Sequence, residues 1–475
     1  MVADARPIRL LVAGTKAMRA AGEEFLPRQQ AESVANYEAR KKRSFLFGAT
    51  AKTVSDMTGK VFTKPIAVEK GVDSELQTLF DNIDNAGRHL NVFARDVFLD
   101  AMQPGVSFIY VDMPPAVQRV DGAPATIADE QQAGIRPYLK NIPLESLIGW
   151  KSEMIAGVET LTQIRIKECT SEEDPKNPYD NVDIDQIRVV SRVDGVADCT
   201  WETFRKNGTD EAAEWVTYQN GTISQPEIQL FPVYTNRTDF MKACPPLAKL
   251  AELNIAHWQS SSDQRNILHI ARVPILFGAG FSADDKLIIG AAEMVQSSNE
   301  NAKLTYVEHT GKAIDAGDKD LTKLEIQMQA MGLQLLIDDT KGQSATGEIR
   351  DDAKENSPLA MMATALQDAL TQAVQSMARF ANRTEPKAGD LMVSKDFGIS
   401  GNRFDLQFLT QLCLGGKLSQ ETMWEELQRR GTLSDSFDPE VEKSRVEAEA
   451  PTLDAGPGNG MDLGGPPKKP VASAA

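Results

Sequence analysis

Histidine and cysteine are scarce in this chain, four of each in 475 residues, and Cys169, Cys199, Cys244 and Cys413 form no CxxC pair. That argues against a disulfide-stapled scaffold and a zinc ribbon, and the thiols read as free in a reducing compartment. The histidines, His89, His257, His269 and His309, stand far apart. His257 and His269 fall on one predicted helix about 18 Å apart along its axis, too far to share a metal. Long apolar runs are missing too. No stretch nears the ~18 residues of a membrane-spanning helix. The N-terminal MVADARPIRLLVAGTKAMRAAGEEF has neither the apolar core nor the cleavage site of a secretory signal. Positive charge is in deficit: 51 Lys and Arg against 68 Asp and Glu leave a net charge of -17. Proteins that grip nucleic acid tightly cluster Lys and Arg to displace phosphate counterions, so this balance argues against one.

Catalytic motifs are absent as well. Gly48–Thr53 (GATAKT) lacks the second glycine and the Gly-Lys step of a phosphate loop, and there is no GxGxxG, GxSxG or HExxH. Two acid pairs, Asp338-Asp339 and Asp351-Asp352, flank a polar loop. Adjacent carboxylates can hold Mg²⁺, or they can simply be a helix end and a solvated helix face. Asp338-Asp339 follows a predicted helix, where acids oppose the macrodipole. The expectation is no enzyme and no cofactor. A metal-dependent nuclease or hydrolase using Asp338, Asp339, Asp351 and Asp352 is the alternative, and an assembly or scaffold factor that forms no ring is another.

What is present is ordinary globular material, 41% hydrophobic, with length for about two to four domains. Residues 1–240 read as α+β, helices first and an antiparallel sheet after. Val34, Tyr37, Lys41, Phe45 and Ala49 follow helical spacing, continued by Val54, Met57 and Val61. Arg40–Arg43 within this stretch reads as a solvated basic face or as a contact with an acidic neighbouring subunit. Val106–Asp112, Thr160–Lys167, Ile184–Val193 and Cys199–Lys206 read as strands, with Ser171–Asp180 as a turn-rich piece between them.

Pro246–Leu268 predicts one long helix with a polar girth, Ser260-Ser261-Ser262 and Gln264-Arg265-Asn266, beside a thin stripe of Leu247, Leu250, Leu253 and Trp258. Such a helix is expected to lie beside copies of itself or line a wet passage. Short strands at Arg272–Phe277, Lys286–Ile289 and Leu304–Val307 follow. A second helix is expected from Asp318 or Asp320, then the polar loop, then a long helix from about Thr346 to Ala381 with a clean stripe of Leu359, Met362, Leu366, Leu370, Val374, Met377 and Phe380. Pro358 must kink that helix or begin a fresh one capped by Ser357. Arg403–Leu414 and Gln420–Arg430 suggest a helical hairpin, Asp438-Pro439 opens a charged helix, and the tail after Pro451 reads as disordered.

Seven words in fixed order carry a resemblance: Pro245–Phe277 (PPLAKLAELNIAHWQSSSDQRNILHIARVPILF), Gly14–Pro27 (GTKAMRAAGEEFLP), Asn82–Gly87 (NIDNAG), Val111–Pro115 (VDMPP), Tyr306–Gly311 (YVEHTG), Gly342–Ser357 (GQSATGEIRDDAKENS) and Leu418–Leu433 (LSQETMWEELQRRGTL). They resemble the portal proteins, or head-to-tail connectors, of tailed bacteriophages, in a group filed as a domain of unknown function. The resemblance implies a helix-rich α+β portal fold. Its parts would be a wing at 1–240, stem helices at 246–268 and 318–337 around a clip at 270–317, and a tunnel loop at 338–346. A long kinked wing helix and connection at 347–399, a helical crown at 400–450 and the tail at 451–475 would follow.

It further implies a homo-oligomeric ring, usually of twelve subunits, at one capsid vertex of the virion. The ring would assemble in the host cytoplasm from this subunit and serve as the channel for genome packaging and ejection. Its partners would be the major capsid protein, the terminase, the head-to-tail adaptor and double-stranded DNA passing without sequence specificity, with no membrane. On this reading Asp338, Asp339, Thr340, Lys341, Gly342, Gln343 and Ser344 face the DNA, and Ser261, Gln264, Arg265 and His269 line the channel along the stem. Lys341 is either an ordinary loop lysine or a transient phosphate contact. An acidic wall forms few lasting phosphate contacts, so DNA slides.

Overall fold

The stripe that follows Pro358 decides where the main core forms. In the computed structural model, the described residues are 1–68, 74–114, 132–174, 177–192, 198–207, 214–272, 275–281, 301–307, 311–333, 357–380, 390–395, 419–429, 437–449 and isolated positions between them. The polar loop 338–346, Asp351, Asp352 and the tail 451–475 lie outside them. The helix Pro358–Phe380 opens at the proline, with the Ser357 hydroxyl accepting from the Ala360 amide at 3.2 Å. Proline suits a first turn because no intrahelical donor is needed there. The ten residues before Ser357, which the sequence reading joined to this helix through a kink, lie outside the described ones. Leu359, Met362, Leu366, Leu370, Val374 and Met377 are buried along one face.

That face covers a three-stranded antiparallel sheet ordered Tyr138–Ile142, Val106–Asp112, Leu230–Tyr234. All seven residues of the central strand are buried. Its alternation splits them between two cores. Ile109 and Val111 join the helical core with Phe93, Val97, Leu366 and Leu370. Val106, Phe108 and Tyr110 point the other way, into a core shared with Leu161, Ile164, Ile166 and Val190. Gly105, at φ +98°, makes the turn into this strand against the Cys244 carbonyl, where a Cβ would collide.

The second core is closed by a five-stranded antiparallel meander: Leu147–Ile155, Val158–Asp174, Asn177–Arg192, Cys199–Lys206 and Trp215–Ile223. Ser171–Asp180, expected as a turn-rich piece, is instead the far end of a long hairpin, paired from Cys169↔Asp185 out to Glu173↔Asn181. A strand ladder is made by backbone groups, so a ribbon that runs past its core tolerates polar side chains on both faces. A charged cluster fastens this sheet to the three-stranded one. Arg188 donates to Asp112 at 2.8 Å and to Glu168 at 3.2 Å, and Lys140 reaches the other Glu168 oxygen at 2.7 Å. Burial pushes the Glu168 carboxyl up, but Arg188 and Lys140 outweigh it and hold it below the usual carboxylate range.

The N-terminal helices Val2–Ala13, Thr15–Ala21 and Val34–Arg43 wrap a third core, in which Ile8, Leu11, Met18 and Tyr37 meet Ala251 and Trp258, while the next helix, Ala49–Val61, turns Val54, Met57 and Val61 into the main helical core. The continuous helical pattern read over 34–61 is two helices, broken where Ser44 turns extended. The fold is α+β. Residues Gly398–Ala475 form a second compact unit. In it the helices Gln420–Arg429 and Pro439–Glu449 are capped by Ser419 and Asp438, and Trp424 stands edge-on to Phe437. Most of the helix expected at Arg403–Leu414 lies outside the described residues.

Candidate functional site

The long polar helix and its successor form the element most unlike a core. They are Ala248–Ala271 and Lys312–Leu333. The Gln264 amide donates to the Ile314 carbonyl at 2.7 Å, Ser260 meets Asp320 at 3.5 Å, and His257 Nε2 lies 3.2 Å from a Glu325 oxygen. The partner's number rises as the first helix's falls, so the helices are antiparallel. At Gly317 a Cβ would strike the Gln264 amide. The second helix starts at Lys312, earlier than either predicted cap, and Asp318 and Asp320 sit inside it. Between the helices the chain makes a two-stranded hairpin, Ile275–Ala279 with Lys303–Val307. The strand read at Lys286–Ile289 lies outside the described residues.

Much of the polar girth of the first helix is partnered within the chain, which the expectation of a helix beside copies of itself or lining a wet passage did not include, while Arg265 stays exposed. Asn254 is fully buried, accepting from the Thr50 amide and hydroxyl at 3.1 and 2.9 Å and donating to the Phe47 carbonyl at 2.8 Å. Ser262 accepts from the Ser44 hydroxyl at 2.8 Å, and Asn266 accepts from Arg43 at 2.7 Å. Within the basic run, Lys42 is exposed but Arg40 departs from both expected roles. Arg40, only 3% exposed, forks onto Glu32 with two 2.8 Å bonds, reaches the Pro27 carbonyl at 2.9 Å and touches Asp263 at 3.3 Å. The Arg40 hydrogen bonds hold the Glu32 carboxyl below its ordinary range against the effect of burial. Neither a solvated face nor a neighbouring subunit is needed to account for Arg40.

Alongside the helix pair runs an open groove of about 630 Å³, lined by Arg43, Phe45, Phe47, His257, Ser261, Gln264, Arg265, Leu268, His269, Arg272, Asp318, Leu321 and Glu325. All four predicted stem residues border it, in two roles. Ser261 and Gln264 are buried, each 8% exposed, and Gln264 bonds across to the second helix, while Arg265 and His269 are exposed. Arg265 lies over the Phe45 ring, 5.6 Å from its centroid. His257 is buried beside Phe47, with ring centroids 5.1 Å apart. The predicted loop residues Asp338, Asp339, Thr340, Lys341, Gly342, Gln343 and Ser344 lie outside the described residues. Sequence reasoning missed the His257–Glu325 contact and Arg272. The signal was there: 257, 261, 265 and 269 recur at four-residue spacing and share one helix face.

The other histidine on a described element, His89, caps a helix by accepting from the Asn91 amide at 3.1 Å. A larger cavity of about 890 Å³ opens between the strand Leu230–Tyr234 and the helix Pro358–Phe380, rimmed by Glu159, Glu227, Arg237 and Asp368. Among the described residues no three His, Cys, Asp or Glu side chains stand close enough to hold a metal, and no helix is long and apolar enough to cross a membrane.

A protein family described as "Domain of unknown function (DUF4055)" matches residues 246–381, which span the helix pair, its insertion and the helix Pro358–Phe380. No curated protein matches the chain. Solved structures with some likeness include a chain from the neck of an empty GTA particle computed with C6 symmetry, at a TM-score of 0.40 and 11% identity, covering 81% of this chain and 90% of that one. Another comes from the virion of a native gene transfer agent (GTA) particle, at 0.38 and 11%, covering 92% of this chain and 98% of that one. A third, from the neck of a native GTA particle computed with C12 symmetry, scores 0.34 at 10% identity, covering 85% of this chain and 90% of that one.

Proposed function

We propose that the chain is a portal subunit, a conduit without catalysis of its own. It would form a ring at one capsid vertex, conduct the genome during packaging and ejection, and offer a docking platform to a terminase and a head-to-tail adaptor. The observation that carries this reading is the antiparallel helix pair split by an inserted β hairpin, followed by a helix that returns to the core beside the wing-like sheets. That is the order of stem, clip, stem and wing implied by the resemblance of the sequence. Phosphoryl-transfer chemistry would belong to a separate motor, consistent with a sequence that has no phosphate loop. Twelve-fold closure, passage of duplex DNA and a role for Lys341 in the tunnel are parts of the same proposal.

The test is electron microscopy of the purified protein. Class averages should show closed rings with a hole wide enough for a DNA duplex, and their rotational symmetry gives the subunit number. Particles that remain monomers or open filaments under all assembly conditions overturn the reading, as does DNA-stimulated ATP hydrolysis by the pure protein.

A further inference from the structure

Two surfaces in the first compact unit are chemically unmatched among the described residues. One is the outer end of the long hairpin, strands Val158–Asp174 and Asn177–Arg192. Glu173, Asp180 and Asp183 are exposed there with no basic side chain paired to them among the described residues, and Tyr179 is 97% exposed. The other is the groove beside the helix pair. Arg265 and Arg272 border it, and no carboxylate pairs with either among the described residues. Of the two acids in the groove, Glu325 is engaged by His257, and Asp318 forms no ion pair among the described residues. His257 is 5% exposed on its side chain, and its Nδ1 has no hydrogen-bond partner among the described residues. In a chain of net charge -17, unpaired guanidinium groups bordering a concave surface next to exposed Phe45 stand out.

We infer that the acidic end of this hairpin seats in the groove of a second copy of the chain. Tyr179 supplies an aromatic anchor against Phe45 and Leu268, and the flanking carboxylates meet Arg265 and Arg272. Interfaces favour this composition: aromatic and arginine anchors at the centre and complementary charge that fixes register. No described hairpin residue lines the groove of its own chain, so the two surfaces are free to meet in trans. Because hairpin and groove are different patches, the contact is head-to-tail. A head-to-tail contact closes into a ring when its rotation allows and otherwise runs into a filament. The inference deepens the proposed ring and rests on that reading only for closure.

A charge swap tests it. Arg265→Glu with Arg272→Glu, and separately Asp180→Lys with Asp183→Lys, should each weaken self-association on the order of a hundredfold at fixed salt. All four changes in one chain should restore it to within about tenfold of the wild type. Mass photometry reads the assembly, and the thermal midpoint of each variant checks folding. Either half-swap assembling like the wild type at an unchanged midpoint overturns the inference, and so does a combined variant that folds but stays apart. Should the swaps misfold, Tyr179→Ala, at a position with no intrachain burial, should weaken association about tenfold, and no change overturns the inference. Wild-type rings that survive a half-swap leave the ring reading standing and remove this interface. Wild-type filaments that dissolve on a half-swap do the reverse, and a wild type that remains monomeric removes both.

Discussion

Pro358–Phe380 and Ala248–Ala271 are helices of almost equal length, 23 and 24 residues, and both are buried on one side, yet they have opposite compositions. The first buries Leu359, Met362, Leu366, Leu370, Val374 and Met377 in a stripe. The second buries Asn254, His257, Ser261, Ser262 and Gln264 beside Leu250 and Trp258. Burial is therefore not a reading of hydrophobicity alone. An apolar face is placed by the hydrophobic effect, which is non-directional. A polar face can be placed as firmly where most of its donors and acceptors find partners, which demands particular neighbours. The neighbours here are the segment 40–50, which partners Asn254 and Ser262, and the second helix of the pair, which partners His257 and Gln264.

The contrast can be broken at three points, in falling order of effect. Arg40→Met strips the buried fork from Glu32 and should cost about 4 kcal/mol, because it leaves an uncompensated carboxylate. Glu32 has a folded pKa below its unfolded one, so its contribution is full above the unfolded value of about 4.3 and is lost as pH falls through the folded value. Chemical denaturation at pH 7 and again near pH 3 should therefore show the mutant's deficit shrink in acid. Leu370→Ala in the apolar helix should cost about 3 kcal/mol through lost transfer energy and a cavity, with no such shrinkage across the same pH range. A pH-dependent deficit in Leu370→Ala, or a constant one in Arg40→Met, would erase the distinction. Ser357→Ala should cost about 1 kcal/mol by removing the cap on the Ala360 amide, measured as a small drop in denaturation midpoint.

The two regions also differ in legibility. The stripe of the 358–380 helix was visible because period is a local property, while a fresh start capped by Ser357 was only one of two readings, beside a kink at Pro358. Val106–Asp112 was visible for the same reason, being short, β-branched and aromatic. The hairpin end at 171–180 was misread because Glu, Asp, Asn and Pro signal a turn by composition, whereas the strands are carried outward by the backbone ladder begun nearer the core. The start at Lys312 was missed because Asp318 and Asp320 look like caps, although acids are also tolerated within a helix. At the groove, Ser261, Gln264, Arg265 and His269, expected to line a channel, all border one open surface. That surface divides: Ser261 and Gln264 are buried, and Arg265 and His269 stay exposed.

Composition and period by themselves determined the α+β class, the helix pair flanking a short-stranded insertion and the position of the main apolar core. Those features follow from local spacing and from the need to bury apolar area somewhere. Only the tertiary structure decided which polar groups are solvated and which are buried. That choice depends on partners far away in sequence, such as Asn254 with Thr50 or Arg188 with Asp112. A hydrogen bond is directional, and its partner cannot be named until the chain has brought the two groups together.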